Sequence, residues 1–153
     1  MSAEARIKEL GLTLPQTSAP SANYVPFRIA GGFLFLAGQT PRGPDGVHLA
    51  GKVGGEVTVD EAYKRARIIG LQLLATTRVA LGSLDRVDGV VKMLCMINAV
   101  PDFKDHAKVA NGMSDLFVEV FGDAGRHARS AVGMGSLPNQ SSVEIEGILA
   151  IKP

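Results

Sequence analysis

The chain has 153 residues, of which 46% are apolar and 20% are charged, and its formal net charge is +1. These proportions are typical of a single globular domain with a substantial core, and they exclude a disordered chain. The near-neutral charge, without a stripe of Lys and Arg or interleaved aromatic residues, also argues against a dedicated nucleic-acid-binding protein.

Three features indicate the cellular compartment. The single cysteine, Cys95, has no partner for an internal disulfide, which favours a reducing environment. No apolar run is long enough to span a bilayer. Residues 3–10 carry too many charges for a secretory signal. We therefore expect a cytoplasmic protein that has no membrane partner.

The chain begins with a segment that we separate from the domain behind it. Residues 1–22 are predicted to form a short amphipathic helix, ended by Gly11, and an extended lead-in that contains Pro15 and Pro20. The remainder, residues 23–153, is predicted to be one domain.

A hairpin opens this domain. Residues 23–29 read as an edge strand, because Pro26 lacks the N–H that a central strand needs. A glycine turn then leads into a second strand at residues 33–37. Residues 38–55 are rich in Gly and Pro and are predicted to be an irregular surface loop.

Two helices and one more strand follow. Thr58-Val59-Asp60-Glu61 is a capping-box pattern, which predicts a long helix over about residues 59–81, ended by Gly82. A second helix is predicted over roughly residues 101–121. Residues 90–97, between the two helices, form a strand that is apolar on nearly both faces.

The stretch at residues 128–152 reads as two strands joined by a polar turn. Arg129 begins the first strand. Glu144 and Glu146 share one face of the second strand with Ile148, whereas the opposite face is apolar. Placing a carboxylate among apolar residues costs free energy unless it is paired with another group or has a functional role, so we expect the chemistry of the protein on this face.

The predicted order is β-β-α-β-α-β-β, an α+β fold with two helices packed on one face of a sheet. Two helices cover only one face, yet the strands at residues 33–36 and 90–97 are apolar on both. A large exposed apolar face marks an interface. We therefore expect a homo-oligomer in which the face of Glu144 and Glu146 lies against a neighbour.

Several short motifs resemble one protein family. They are Gly38-Gln39-Thr40-Pro41 after an apolar strand, Asp102-Phe103 at a helix start, Ala128-Arg129-Ser130, Leu137-Pro138 and Val143-Glu144-Ile145-Glu146. Together they resemble the RidA/YjgF family of reactive intermediate deaminases, also labelled L-PSP endoribonucleases or translation inhibitors. The resemblance runs from about Tyr24 to Lys152 and is most specific from Ala128 onward.

The resemblance implies a chorismate-mutase-like fold and a homotrimer with three clefts between its subunits. Many members hydrolyse enamines and imines, such as 2-aminoacrylate, to a 2-keto acid and ammonia, and this chemistry requires no metal or organic cofactor. By the same resemblance, Arg129 would hold the substrate carboxylate and Glu144 would position or activate water. Tyr24 and Asn111 would be further substrate-binding residues, with Tyr24 reaching in from the neighbouring subunit.

Two departures from the family pattern bear on the activity. Ala131 stands where the deaminases usually have Cys, at a substrate-binding position whose contribution could be mainly backbone. Ala37 stands where they usually have Ser. These alanines favour an alternative, a non-catalytic protein that binds or senses small carboxylates. A ribonuclease, as the family label suggests, is disfavoured by the near-neutral charge.

Simpler interpretations of the same residues remain open at this point. Arg129 could be a structural ion-pair partner of Glu144 or Glu146. Tyr24 could pack at the edge strand, and Asn111 could bond a neighbouring loop. His48, His106 and His127 are scattered without metal-ligand spacing, so we do not predict them as site residues. Cys95 reads as an inert core thiol.

Overall fold

The order of helices and strands follows the prediction. The computed structural model describes residues 1–17, 19 and 22–153, so Ser18, Pro20 and Ser21 of the predicted lead-in lie outside the described residues. The elements are α1 (Ala3–Glu9), β1 (Phe27–Ala30), β2 (Phe33–Gln39), α2 (Val59–Leu81), β3 (Val87–Asn98), α3 (His106–Phe121), β4 (Ala128–Met134) and β5 (Val143–Ile151). This confirms the α+β class and the predicted order behind α1.

Local capping explains the ends of α2. The Thr58 hydroxyl accepts a hydrogen bond from the Glu61 N–H at 3.1 Å, and Gly82 ends the helix with a φ of 79°. Both ends are where the capping box and the glycine predicted them. α3 begins at His106 rather than near residue 101, because the chain first makes a turn in which the Phe103 N–H bonds the Val100 carbonyl.

The first strand is shorter than predicted. β1 begins at Phe27, and its pairing with β2 starts beside Pro26, whose carbonyl accepts from the Ala37 N–H at 3.0 Å. Residues 23–25 precede the ladder, so the prediction that they belong to the strand is wrong. Tyr24 consequently lies on an irregular segment rather than on a strand.

The sheet has the strand order β1-β2-β5-β3-β4, so β5 is central and β4 lies at one edge. β4 runs parallel to β3, whereas the other pairs are antiparallel. The two C-terminal strands are adjacent in sequence but separated by β3 in space. This insertion decides where Arg129 and Glu144 point.

One face of the sheet is covered by α2 and α3. Its buried residues include Leu34, Leu36, Met93, Cys95, Ile97, Val143, Ile145 and Leu149. The apolar face predicted for the last strand is therefore the core face. Cys95 is fully buried, and burial raises the pKa of its thiol to about 12, as expected for an inert core cysteine.

The opposite face of the sheet is open in the single chain. Phe33 and Phe35 are 40% and 41% exposed there, and Val132 on β4 is 38% exposed. Because residues in register share a face, Glu144 and Glu146 belong to this open face together with Met96 and Leu94. The structure thus has the exposed apolar face that the sequence predicted.

The N-terminal helix joins the same core. Ala3 and Ile7 of α1 are buried. The Glu4 carboxylate accepts two hydrogen bonds from Arg78 at 3.0 and 2.6 Å and one from the Leu84 N–H at 2.9 Å. These contacts fix α1 to the end of α2. No helix in the described ranges is both long and apolar enough to cross a membrane.

Gly112 marks a close approach of α3 to α2. A Cβ at this position would overlap the Tyr63 carbonyl oxygen and lie 3.1 Å from the Ala66 Cβ. We expect Gly112→Ala to lower the free energy of unfolding by about 3 kcal/mol, and thus the melting temperature by roughly 6–12 °C, in thermal unfolding followed by circular dichroism. Gly135→Ala is the matched control, since a Cβ there meets nothing within 4 Å. Equal melting temperatures for the two variants would contradict this packing.

Candidate functional site

A cavity of about 680 Å³ opens beside the junction of β2 and β5. Its lining includes Tyr24, Gln39, Arg42, His48, Asn139 and Glu144. Two of the predicted site residues, Tyr24 and Glu144, therefore face one cavity. Its volume is within the range of pockets that bind small metabolites.

Glu144 is the carboxylate of this cavity. It is partly buried, and among the described residues no group donates a hydrogen bond to its oxygens. Gly38, from the Gly-Gln motif, leaves room for it, because a Cβ at Gly38 would lie 2.6 Å from Glu144 Oε1. A carboxylate that is desolvated but not bonded can accept a proton from a bound water.

The environment of Glu144 alters its acidity. Burial raises the pKa of the Glu144 carboxyl, and the nearby charge of Glu146 raises it further. A raised pKa makes the ionised carboxylate a stronger base than an exposed glutamate. Glu146 is exposed on the same strand face, two residues away.

A hydrogen-bond network fixes the wall of the cavity behind the Gly-Gln motif. Gln39 Nε2 donates to Thr76 Oγ1 at 2.8 Å, and Gln72 Nε2 donates to Gln39 Oε1 at 3.2 Å. Gln72 also donates to the Thr40 carbonyl at 2.9 Å and accepts from the Arg42 backbone N–H at 3.1 Å. The motif is therefore anchored on α2, and sequence inspection missed Gln72 and Thr76 because they come from a distant element.

His48 also faces the cavity, although we did not predict it as a site residue. Its Nδ1 lies 3.1 Å from Thr40 Oγ1, and its Nε2 lies 3.3 Å from Asn139 Nδ2. Asn139 and Gln140 have φ values of 56° and 53°, a left-handed conformation that is unusual for residues other than glycine. Such strain concentrates at functional sites.

Arg129 lies on the other face of the sheet. It is in register with buried Met93, so its side chain points toward the helices, whereas Glu144 is in register with Met96 on the open face. Arg129 Nη1 donates to Asn111 Oδ1 and to Ser114 Oγ, both at 2.9 Å. Within one chain Arg129 does not form the ion pair with Glu144 or Glu146 that was left open, because β3 lies between their strands and the side chains point to opposite faces of the sheet.

One edge of the Arg129 guanidinium has no hydrogen-bond partner among the residues that the structure describes. The two contacts of the guanidinium use Nη1, and no ion pair joins it to an acidic side chain of the described residues. The edge formed by Nε and Nη2 is the one that can bind a carboxylate through two parallel hydrogen bonds. Arg129 is thus a cation held by neutral groups and available to an anion.

The other residues on this side of the sheet either take part in the hydrogen bonds around Arg129 or pack against the core. Asn111 is exposed on α3 and contacts Arg129 directly. Ala131 is in register with Cys95 and packs against the core, so only its backbone, on an edge strand, offers polar groups. Ser114 Oγ also lies 2.9 Å from His127 Nε2. His127 lies just before β4 and precedes Arg129 by two residues, and this spacing was the signal that could have identified it.

The predicted site residues therefore form two groups. Tyr24 and Glu144 line the cavity, whereas Arg129, Asn111 and Ala131 lie at the helix-covered face of the sheet edge. Tyr24 lines the cavity together with Glu144 of its own chain, and its approach to Arg129 of a neighbouring subunit, which the resemblance implied, stays a prediction. A single small ligand cannot touch both groups in one chain, because the sheet lies between them.

Among the described residues, no group of three or more His, Cys, Asp or Glu side chains is placed to hold a metal ion. The chemistry of the two groups is that of an anion-binding cation and a basic carboxylate. Both are suited to a small, carboxylate-bearing molecule.

Comparison with known proteins covers nearly the whole chain. The family model of the YjgF/chorismate mutase-like proteins, which also carries an endoribonuclease label, matches residues 4–146. Protein TCP17 of Trypanosoma cruzi is 40% identical over 148 residues, which are 96% of this chain and 92% of that protein.

Solved structures extend this similarity to the fold. The protein Atu1372 of Agrobacterium tumefaciens, whose function is unknown, is 42% identical with a TM-score of 0.89, and the alignment covers 98% of this chain and 93% of that one. E. coli TdcF, solved with bound serine, is 26% identical with a TM-score of 0.65, over 90% of this chain and 94% of that one.

Proposed function

The chain belongs to the YjgF/chorismate mutase-like family, and from this premise we propose that it hydrolyses reactive enamine and imine intermediates of the 2-aminoacrylate type. The products are a 2-keto acid and ammonia. The observation that carries the proposal is that the described residues include both a guanidinium edge on Arg129 that none of them contacts and a partly buried Glu144 carboxylate that accepts no hydrogen bond from them.

The two groups complete one site only when two copies of the chain meet. In the proposed homotrimer, Arg129 and Asn111 of one subunit approach the cavity of the next, where Glu144 and Tyr24 lie. Three such clefts arise in a cyclic trimer, because each subunit presents one group to each neighbour. The exposed apolar face that includes Phe35 supports such an assembly.

In this site the substrate carboxylate binds the Nε and Nη2 edge of Arg129. An enamine first tautomerises to the imine. Glu144 then takes a proton from water as the water oxygen adds to the C=N carbon, and it passes this proton to the imine nitrogen, which forms a carbinolamine. The hydroxyl proton of the carbinolamine moves to the nitrogen as the C–N bond breaks and the C=O bond forms, which releases ammonia and the 2-keto acid. Because imines also hydrolyse in plain water, positioning of water can supply much of the acceleration.

The assembly itself is a prediction with a direct measurement. Light scattering is expected to give the mass of three chains of 16.1 kDa each. Phe35→Lys should shift the mass toward the monomer, because it places a charge on the apolar sheet face. Val47→Lys, on an exposed loop, is the matched control and should leave the mass unchanged. A monomeric wild-type protein would contradict the composite site.

A second candidate function is binding of a small carboxylate without turnover. Ala37 lines the cavity and Ala131 lies near Arg129, and neither offers the polar side chain that stands there in the family's deaminases. An assay decides between the two functions. The protein is added to an enzyme that generates 2-aminoacrylate or 2-iminobutyrate, and imine decay is followed. We expect acceleration; ligand binding without acceleration would favour the binding protein.

A further inference from the structure

We propose that Ser114 and His127 form a hydrogen-bonded support that holds the guanidinium of Arg129 in its anion-binding orientation. Both are then positioning residues, since they act on the substrate only through Arg129. The inference rests on the proposed function in one respect, because it takes Arg129 as the ligand of the substrate carboxylate.

The direction of each hydrogen bond follows from the groups involved. The Gly125 carbonyl lies 2.7 Å from His127 Nδ1 and can only accept, so Nδ1 carries the hydrogen. In the neutral ring, Nε2 then accepts from the Ser114 hydroxyl at 2.9 Å. The Ser114 oxygen keeps a lone pair for Arg129 Nη1, also at 2.9 Å. The chain of bonds therefore runs from Arg129 through Ser114 and His127 to a backbone carbonyl.

The surroundings of His127 favour the neutral ring, in which Nε2 accepts the hydrogen bond from Ser114. The ring is partly buried and packs edge-to-face against Phe117, with centroids 6.3 Å apart and planes at 79°. Burial lowers the pKa of His127, and the positive charge of Arg129 lowers it further, while the bond to Gly125 opposes this shift. A neutral ring is what an acceptor at Nε2 requires. Protonation would make Nε2 a donor and place a second cation beside Arg129.

The hydrogen bonds of this support explain why the Nε and Nη2 edge of the Arg129 guanidinium faces away from its own chain's contacts. Asn111 and Ser114 together occupy both hydrogens of Arg129 Nη1, which fixes the rotation of the planar group. The Nε and Nη2 edge is then left for a ligand. Without Ser114 the group would depend on exposed Asn111 alone, and its regained rotamer freedom would oppose binding.

The test uses Ser114→Ala, His127→Leu and His127→Gln in the full-length protein. Ser114→Ala and His127→Leu are expected to raise KM for the imine about tenfold with little change in kcat, because the lost bond involves a charged group and acts on ground and transition state alike. His127→Gln should restore KM, since its side-chain oxygen can accept from Ser114. An unchanged KM, or a fall in kcat that Gln does not restore, would overturn the inference while leaving the proposed function intact.

Failure of the proposed function gives a different result. If the wild-type protein accelerates no imine, an NMR titration with 2-oxobutyrate measures carboxylate binding directly. Weaker binding by Ser114→Ala and His127→Leu, with recovery in His127→Gln, would still support the positioning of Arg129. Equal binding by all variants, or no binding by the wild-type protein, would overturn it.

Discussion

Arg129→Ala is expected to lower kcat/KM for imine hydrolysis on the order of 100-fold, because truncating one partner of a hydrogen-bonded charge pair costs about 2–5 kcal/mol and about 1.4 kcal/mol corresponds to tenfold. The loss should lie mainly in KM, since the carboxylate contact is present in the ground state and the transition state. The fold should persist, because Arg129 contributes no ion pair to the described structure. The coupled imine assay and a thermal melt check the two parts.

Arg126→Ala is the matched control for this variant. Arg126 lies three residues away, and within the described part of the chain it forms only an exposed ion pair with Asp123, at 3.3 Å. The Arg126→Ala variant should retain wild-type kinetics and melting temperature. If Arg129→Ala instead keeps full activity, or if it unfolds the protein, Arg129 is a structural residue and not the carboxylate ligand.

Glu144→Gln is expected to reduce kcat by about 10²–10⁴-fold, the usual contribution of a general base. Because burial and Glu146 raise the pKa of Glu144, the wild-type rate should increase with pH through a range above that of an ordinary glutamate. Glu146→Gln should move this rise to lower pH, since it removes the second cause of the shift. A pH–rate profile of the three proteins measures both effects.

Replacing Glu144 should lower the activity but should not lower the stability of the fold. A raised pKa means that the folded protein holds the Glu144 proton more tightly than the unfolded chain, so ionisation disfavours the fold as pH rises through this range. Glu144→Gln should therefore melt no lower than the wild type at neutral pH. A wild-type kcat for Glu144→Gln would remove it from the chemistry, and a lower melting temperature would indicate a structural contact.

Local signals in the sequence predicted much of the fold. Thr58 and Gly82 define the ends of α2 because capping depends on neighbouring residues alone. The alternation along β5 separated the Glu144 face from the core face, because strand side chains alternate whatever the strand pairs with. The exposed apolar face was predicted because two helices can cover only one face of a sheet, whereas two of its strands are apolar on both faces.

Long-range pairing was beyond the same reasoning. No residue pattern near Arg129 predicts that β3 lies between β4 and β5 in the sheet. This arrangement places Arg129 on the face opposite Glu144. Ser114 and Gln72 reach their partners from distant helices, so no local motif identified them. The left-handed Asn139 depends on the turn in which it lies.

The composite site can be tested by combining two inactive subunits. Arg129→Ala and Glu144→Gln chains carrying different affinity tags are co-expressed, and oligomers that hold both are isolated by two successive purifications. In a mixed cyclic trimer one interface joins an intact Arg129 to an intact Glu144, so we predict about one third of wild-type imine hydrolysis. Each variant alone should be nearly inactive. Mixed trimers as inactive as their parents would contradict a site shared between two copies of the chain.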